Sequence, residues 1–130
     1  MAPKNKRRQH QDQEREELDA LLPLPSATFH ILVAVAGGEM HGYAILQDIA
    51  ARTEGKVQLG AGTLYRSLHR MLEQGLVEET SDRPDPELDD ERRRYYRITA
   101  LGIAVARAEA RRFAQLLKLA RAQGLQPEPA

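Results

Sequence analysis

The sequence predicts a mainly α fold with one small β-hairpin and a long helix at its C-terminal end. Three observations carry this. Gly62 to Gln74 reads as an amphipathic helix, with Leu64, Leu68, Met71 and Leu72 on one stripe and Thr63, Arg66, Ser67, Arg70 and Gln74 on the other. Gly75 follows where a left-handed helix cap belongs. Leu76–Thr80 and Arg92–Ile98 then read as two short strands around the turn-rich Ser81–Glu91. Finally, Ile103, Ala106, Ala110, Phe113, Leu117 and Ala120 step by three and four, the pattern of a helical seam. Helix, short strand, loop and basic strand in this order describe a winged helix-turn-helix, the hairpin being the wing.

Taken in order, residues 1–22 form a polar N-terminal extension. Met1–Gln11 has nothing to bury and is expected to be disordered. Asp12–Leu22 has the makings of a short helix anchored only by Leu18, Leu21 and Leu22, and Pro23 and Pro25 break it. Ser26 is the expected N-cap of an apolar helix over Ala27–Ala36, which Gly37 and Gly38 end. Gly42–Arg52 is the next helix, with Tyr43, Leu46, Ile49 and Ala50 as its buried positions. Lys56–Leu59 is short and extended, and Gly60-Ala61-Gly62 leads into the helix with the two stripes. In the returning strand, Arg94, Tyr96 and Ile98 share one face and Arg93, Tyr95 and Arg97 the other. Thr99 is the N-cap of a last helix from Ala100 to Gln123, and Gly124 is its stop. The expected organisation is therefore an extension (1–22), a winged-helix domain (23–99), a dimerisation helix (100–124) and a tail (125–130).

Composition narrows the function classes. There is no cysteine, hence no disulfide and no thiolate metal site. His10, His30, His41 and His69 lack metal-ligand spacing, so no metal or cofactor is expected. His41, at a helix start, is read as fixing the turn. Gly60-Ala61-Gly62-Thr63 lacks the lysine of a phosphate loop, although a helix N-terminus there offers N–H groups to a phosphate. No nucleophile–base–acid set stands out, and an enzyme is not expected. No apolar run approaches the ~20 residues of a membrane span, and the charged N-terminal stretch is unlike a signal peptide. A cytoplasmic protein is expected.

Net charge is zero, with 19 basic and 19 acidic residues, which is unlike a general nucleic-acid binder. The charge is nevertheless polarised. Lys4, Lys6, Arg7 and Arg8 form one basic cluster and Arg92, Arg93, Arg94 and Arg97 another. Between them, Glu78 to Glu91 holds eight acids against Arg83 alone. Arginine forks to guanine, glutamine pairs with adenine, and serine or threonine reaches bases and phosphates. The helical face of Thr63, Arg66, Ser67, Arg70 and Gln74, with Arg92, Arg93 and Arg94 on the wing, is thus a candidate DNA-binding surface.

The chain also resembles the PadR family of transcriptional regulators, in its smaller form with a single C-terminal helix. The resemblance covers about Leu24 to Gly124. It rests on His41-Gly42-Tyr43-Ala44-Ile45, on Gly62-Thr63-Leu64-Tyr65-Arg66-Ser67-Leu68, and on Arg93-Arg94-Tyr95-Tyr96-Arg97-Ile98-Thr99. It implies a bacterial or archaeal winged-helix repressor that dimerises through its last helix. It also implies that Tyr43, Thr63, Tyr65, Arg66 and Arg70 face DNA or lie beside it. In such proteins small aromatic or drug-like effectors often bind between subunits; the seam here offers only Phe113 as an aromatic. Two departures stand out. Ala100 occupies a position where the family pattern often has proline, and the wing loop is long and acidic.

The expected function is sequence-specific binding of double-stranded DNA by a homodimer acting as a repressor. The dimer contact is expected through Ile103, Ala106, Ala110, Phe113, Leu117 and Ala120, because a helix about 35 Å long outreaches a three-helix domain. The alternative is a winged-helix protein-interaction module that does not read DNA. The acidic loop (Asp85, Glu87, Asp89, Asp90, Glu91) is expected to point away from DNA or to fold back onto Arg92, Arg93 and Arg94, because acids within a screening length of ~8 Å would be repelled by phosphates.

Overall fold

The structure, a computed structural model, describes residues 2–80 and 94–128. It contains helices α1 (Ala2–Asp19), α2 (Ser26–Ala36), α3 (Gly42–Arg52), α4 (Ala61–Gln74) and α5 (Ala100–Ala122), and strands β1 (Met40–His41), β2 (Val77–Thr80) and β3 (Tyr95–Ile98). The chain divides into two compact units, Leu24–Ala106 and Met1–Pro23 with Arg107–Ala130.

In the first unit, α2, α3 and α4 pack around an aliphatic core. Ile31, Leu32 and Val35 come from α2, Ile45 and Ile49 from α3, and Leu64, Leu68 and Met71 from α4; all are almost fully buried. A fully buried aliphatic side chain contributes about 1.5–3 kcal/mol, so these residues are what hold the three helices together. The periodicity of α4 therefore places its apolar stripe correctly, Leu72 being half-buried at its edge. Gly75 ends α4 with φ 76°, the left-handed conformation that Gly adopts without a Cβ penalty. Thr99 Oγ1 accepts from the Gly102 backbone N–H at 3.0 Å, capping α5 as expected, and Gly124 has φ 79° beyond its end.

The sheet has one strand more than the hairpin read from the sequence. Its order is β1-β3-β2, antiparallel throughout, with β3 in the centre. Val77 pairs with Ile98 and Thr80 with Tyr95, while His41 pairs with Tyr95 on the other side. A two-residue strand carries no alternation, so β1 leaves no signature of its own in the sequence.

Three local expectations are corrected. Helix α1 starts at Ala2, not Asp12. Residues 4–17 are almost all Lys, Arg, Gln and Glu, strong helix formers without a glycine, and Pro3 sits in the first turn, where its missing N–H has no intrahelical role. Helix α2 includes Ser26, with Pro25 at the N-cap and no side-chain cap. In α3, Tyr43 is 60% exposed and Leu46 and Ala50 are only half-buried, while Ile45 and Ile49 are the core positions.

In the second unit, α1 is exposed from Lys6 through Glu17, and Leu18 is half-buried. Along the C-terminal part of α5, Ala108 and Glu109 are buried, and Glu109 accepts from Arg112 Nε at 2.5 Å. The Arg112 guanidinium also lies over the Phe113 ring, 4.8 Å from its centroid.

Candidate nucleic-acid interface

The site is built on α4. Its core-facing stripe fixes the helix rotation, and the opposite stripe is then presented outward. Arg66, Arg70 and Gln74 are exposed, and Thr63 and Ser67 are half-buried. Arg66 lies near Thr63, with Nη2 3.5 Å from the threonine Oγ1. His69 and Glu73, one turn apart, pair at 3.2 Å in full view of solvent.

The helix preceding α4 is set by the His41-Gly42-Tyr43 motif, in which each residue does something different. His41 Nδ1 accepts the Ala44 N–H at 3.1 Å and caps α3, as read from its place at a helix start. Its ring also meets Tyr95 edge-on, with centroids 5.7 Å apart, tying the cap to the central strand. Gly42 is the point where α4 comes close: a Cβ there would lie 2.7 Å from the Tyr65 hydroxyl oxygen. Tyr65 is accordingly half-buried, one part of it set against α3. Thr53 closes the turn after α3, donating from Oγ1 to the Ile49 carbonyl and accepting from the Val57 N–H.

Between α4 and β3 runs an open cleft of about 580 Å³, lined by Tyr65, Arg66, His69, Arg70, Glu73, Arg94 and Tyr96 among others. It brings Arg94, distant in sequence, to the same surface as Arg66 and Arg70. Arg94 and Tyr96 share that face, as alternation in the strand requires. Gln74 and Tyr43 do not line the cleft, and Arg92 and Arg93 lie outside the described residues.

Sequence reasoning missed what holds the wing arginines. Arg97 donates from Nε and Nη2 to Glu78 Oε1 at 2.8 and 2.6 Å, and Arg94 Nε lies 3.1 Å from Glu79 Oε1. The register dictates both pairs: Glu78 is directly opposite Arg97, and Glu79 is opposite Tyr96, two residues from Arg94. The two acids of β2 become a signal only with the register in hand. The expected fold-back of Asp85–Glu91 onto Arg92–Arg94 lies mostly outside the described residues. Among those that are described, neighbouring-strand acids hold Arg94 and Arg97. These pairs are half-exposed and worth about 0–1 kcal/mol each, weak enough for a phosphate to replace the carboxylate. No cluster of His, Asp or Glu able to hold a metal ion occurs among the described residues.

Three helices with a cationic last helix, a capped turn and an adjoining hairpin define a winged helix-turn-helix protein. The chain belongs to the transcriptional regulator PadR-like family, whose sequence profile matches residues 31–108. Solved structures agree in fold. A transcriptional regulator from Clostridium thermocellum aligns with TM-score 0.62 and 24% identity, over 74% of this chain and 87% of that one. A PadR family transcription regulator from Clostridium difficile aligns with TM-score 0.61 and 21% identity, over 75% and 97%. Bacillus subtilis PadR in complex with operator DNA aligns with TM-score 0.57 and 17% identity, over 66% of this chain and 47% of that one. No curated protein matches the sequence.

Proposed function

We propose that this protein is a homodimeric repressor that binds double-stranded DNA sequence-specifically, with α4 entering the major groove. The observation that carries the reading is the outward face of α4. Arg66 and Arg70 are exposed on a helix whose other stripe is locked in the core, and Arg94 adjoins them across the cleft. Such a face presents fork-shaped donors at a fixed rotation, which is what base-edge readout requires. Thr63, Tyr65, Ser67 and Gln74 complete the α4 surface, with Tyr43 beside it at the start of α3. Arg92, Arg93 and Arg94 supply phosphate contacts from the wing. The Bacillus subtilis relative was solved on operator DNA, which supports the same use of the fold here.

The homodimer rests on α5. Ile103, Phe113 and Leu117 of the proposed seam are exposed, as are the neighbouring Leu116 and Leu119. Ala110 is also exposed, and Ala106 and Ala120 are half-buried. A stripe of this kind recovers several kcal/mol on burial against a second copy. Two recognition helices would then meet half-sites about 34 Å apart or a multiple of that. Occupying a promoter in this way blocks polymerase.

A mobility shift on the DNA upstream of the protein's own gene, against random duplex, tests the reading. A preferred shift of the upstream fragment is expected. Equal weak binding to both would overturn sequence-specific recognition and leave the protein-interaction alternative.

A further inference from the structure

Helix α1 is charged the wrong way round for a helix that stands by itself. The N-terminal end of a helix carries partial positive charge and favours acids; the C-terminal end favours bases. In α1 the first turn has no acid and the last turn has no base. Instead, Lys4, Lys6, Arg7 and Arg8 stand at the beginning, and Asp12, Glu14, Glu16, Glu17 and Asp19 follow, with Arg15 among them. Lys6, Arg7 and Arg8 are exposed, and no apolar residue is buried between Lys6 and Glu17 to offset the unfavourable order. The ion pair of His10 with Glu14 in this stretch is well solvated. Among the described side chains, neither helix stability nor packing calls for the three bases at this end.

A dense polyanion does. Lys6, Arg7 and Arg8 are consecutive, within about 3 Å of helix axis at ~1.5 Å per residue, and fan around the basic end of α1. Duplex DNA carries one negative charge per ~1.7 Å of axis. So dense a polyanion complements a compact cationic cluster of this kind. The acids further along α1 begin about 6 Å beyond Arg8, inside the ~8 Å screening length, so DNA repels that end and orients the helix with its basic head inward.

We infer that the basic head of α1 (Lys6, Arg7, Arg8) is a second, sequence-independent DNA-binding element that grips backbone phosphates. This rests on the proposed DNA-binding function and adds a surface outside the region matched by the family profile, residues 31–108. It supplies affinity; α4 supplies the reading of sequence. It also gives a protein of zero net charge a local cationic end for electrostatic steering.

The test uses the full chain carrying Lys6→Gln, Arg7→Gln and Arg8→Gln together, titrated by fluorescence anisotropy on the upstream fragment and on random duplex across a salt series. These side chains are exposed, so circular dichroism and sedimentation should match the wild type. We expect weaker binding to both duplexes by the same factor. The slope of log affinity against log salt should be shallower by about 2–3 per protomer, hence about 5 for the dimer, at ~0.9 for each phosphate no longer neutralised. Arg66→Ala with Arg70→Ala is measured alongside. If that variant weakens binding while the triple variant leaves affinity and slope unchanged, the α1 element is overturned and the α4 reading stands. If the triple variant alone weakens binding, α1 is the DNA-binding element and the α4 reading falls. A wild-type protein that binds neither duplex overturns both.

Discussion

His41, Gly42 and Tyr43 are consecutive, yet a cap, a close approach and an exposed ring fall to them in turn. Gly42 is the most exacting. With the Tyr65 hydroxyl oxygen 2.7 Å from the place of a Cβ, Gly42→Ala must displace the Tyr65 ring and with it the seating of α4 on α3. We expect destabilisation by about 1–3 kcal/mol, the usual cost of overpacking, read as a lower urea midpoint at unchanged slope. A wild-type midpoint would mean that the ring turns aside freely. His41→Ala leaves the Ala44 N–H without its acceptor, and a cost of about 1 kcal/mol is expected in the same measurement. Gly75, at φ 76°, should tolerate Asn better than Ala, since only Asn among the two visits the left-handed region readily.

At the scale of elements, α4 and the wing divide the work. The amphipathic pattern of α4 sets which residues face out, and the sheet register sets which arginines arrive beside them. Arg66→Ala and Arg70→Ala should each weaken operator binding by ~1–3 kcal/mol if the arginine forks to a base, with specificity relaxed at that base pair. Weakening that is equal on every sequence, with the salt slope lower by about one, would assign that arginine to phosphate instead. Anisotropy on operator and scrambled duplexes separates the two, and unchanged affinity in both variants would remove α4 from the DNA surface. In the hairpin, Arg97 already pairs with Glu78 and Arg94 with Glu79. In the proposed reading a phosphate must displace a carboxylate from each of these two arginines, which weakens their grip on DNA.

For the whole molecule, the proposed dimer rests on α5. Phe113→Glu places a carboxylate on the proposed seam, where burial without a partner is costly. Sedimentation should then report monomer in place of the proposed wild-type dimer, and operator affinity should collapse to that of a single half-site. A variant that stays dimeric would show that the seam runs elsewhere on the helix, with Leu116 and Leu119 the next residues to change, since both are more than half exposed.

Periodic and capping features are legible in the sequence because they are local. Two stripes along α4 rotate it correctly, and Gly75, Thr99 and Gly124 end or begin helices by backbone geometry or a single hydrogen bond. Helix α1 reads short from the sequence when disorder is inferred from polarity, whereas its residue types favour helix one by one. What the chain does not display along its length are relations between distant residues. The pairing of Met40–His41 with β3 needs a partner more than fifty residues away, and two residues carry no period of their own. Arg94 lines the same cleft as Arg66 and Arg70, and Glu79 reaches Arg94, because β3 lies beside β2 and borders the cleft next to α4. Local sequence decides which face a helix shows; the register and packing of separate elements decide which faces meet.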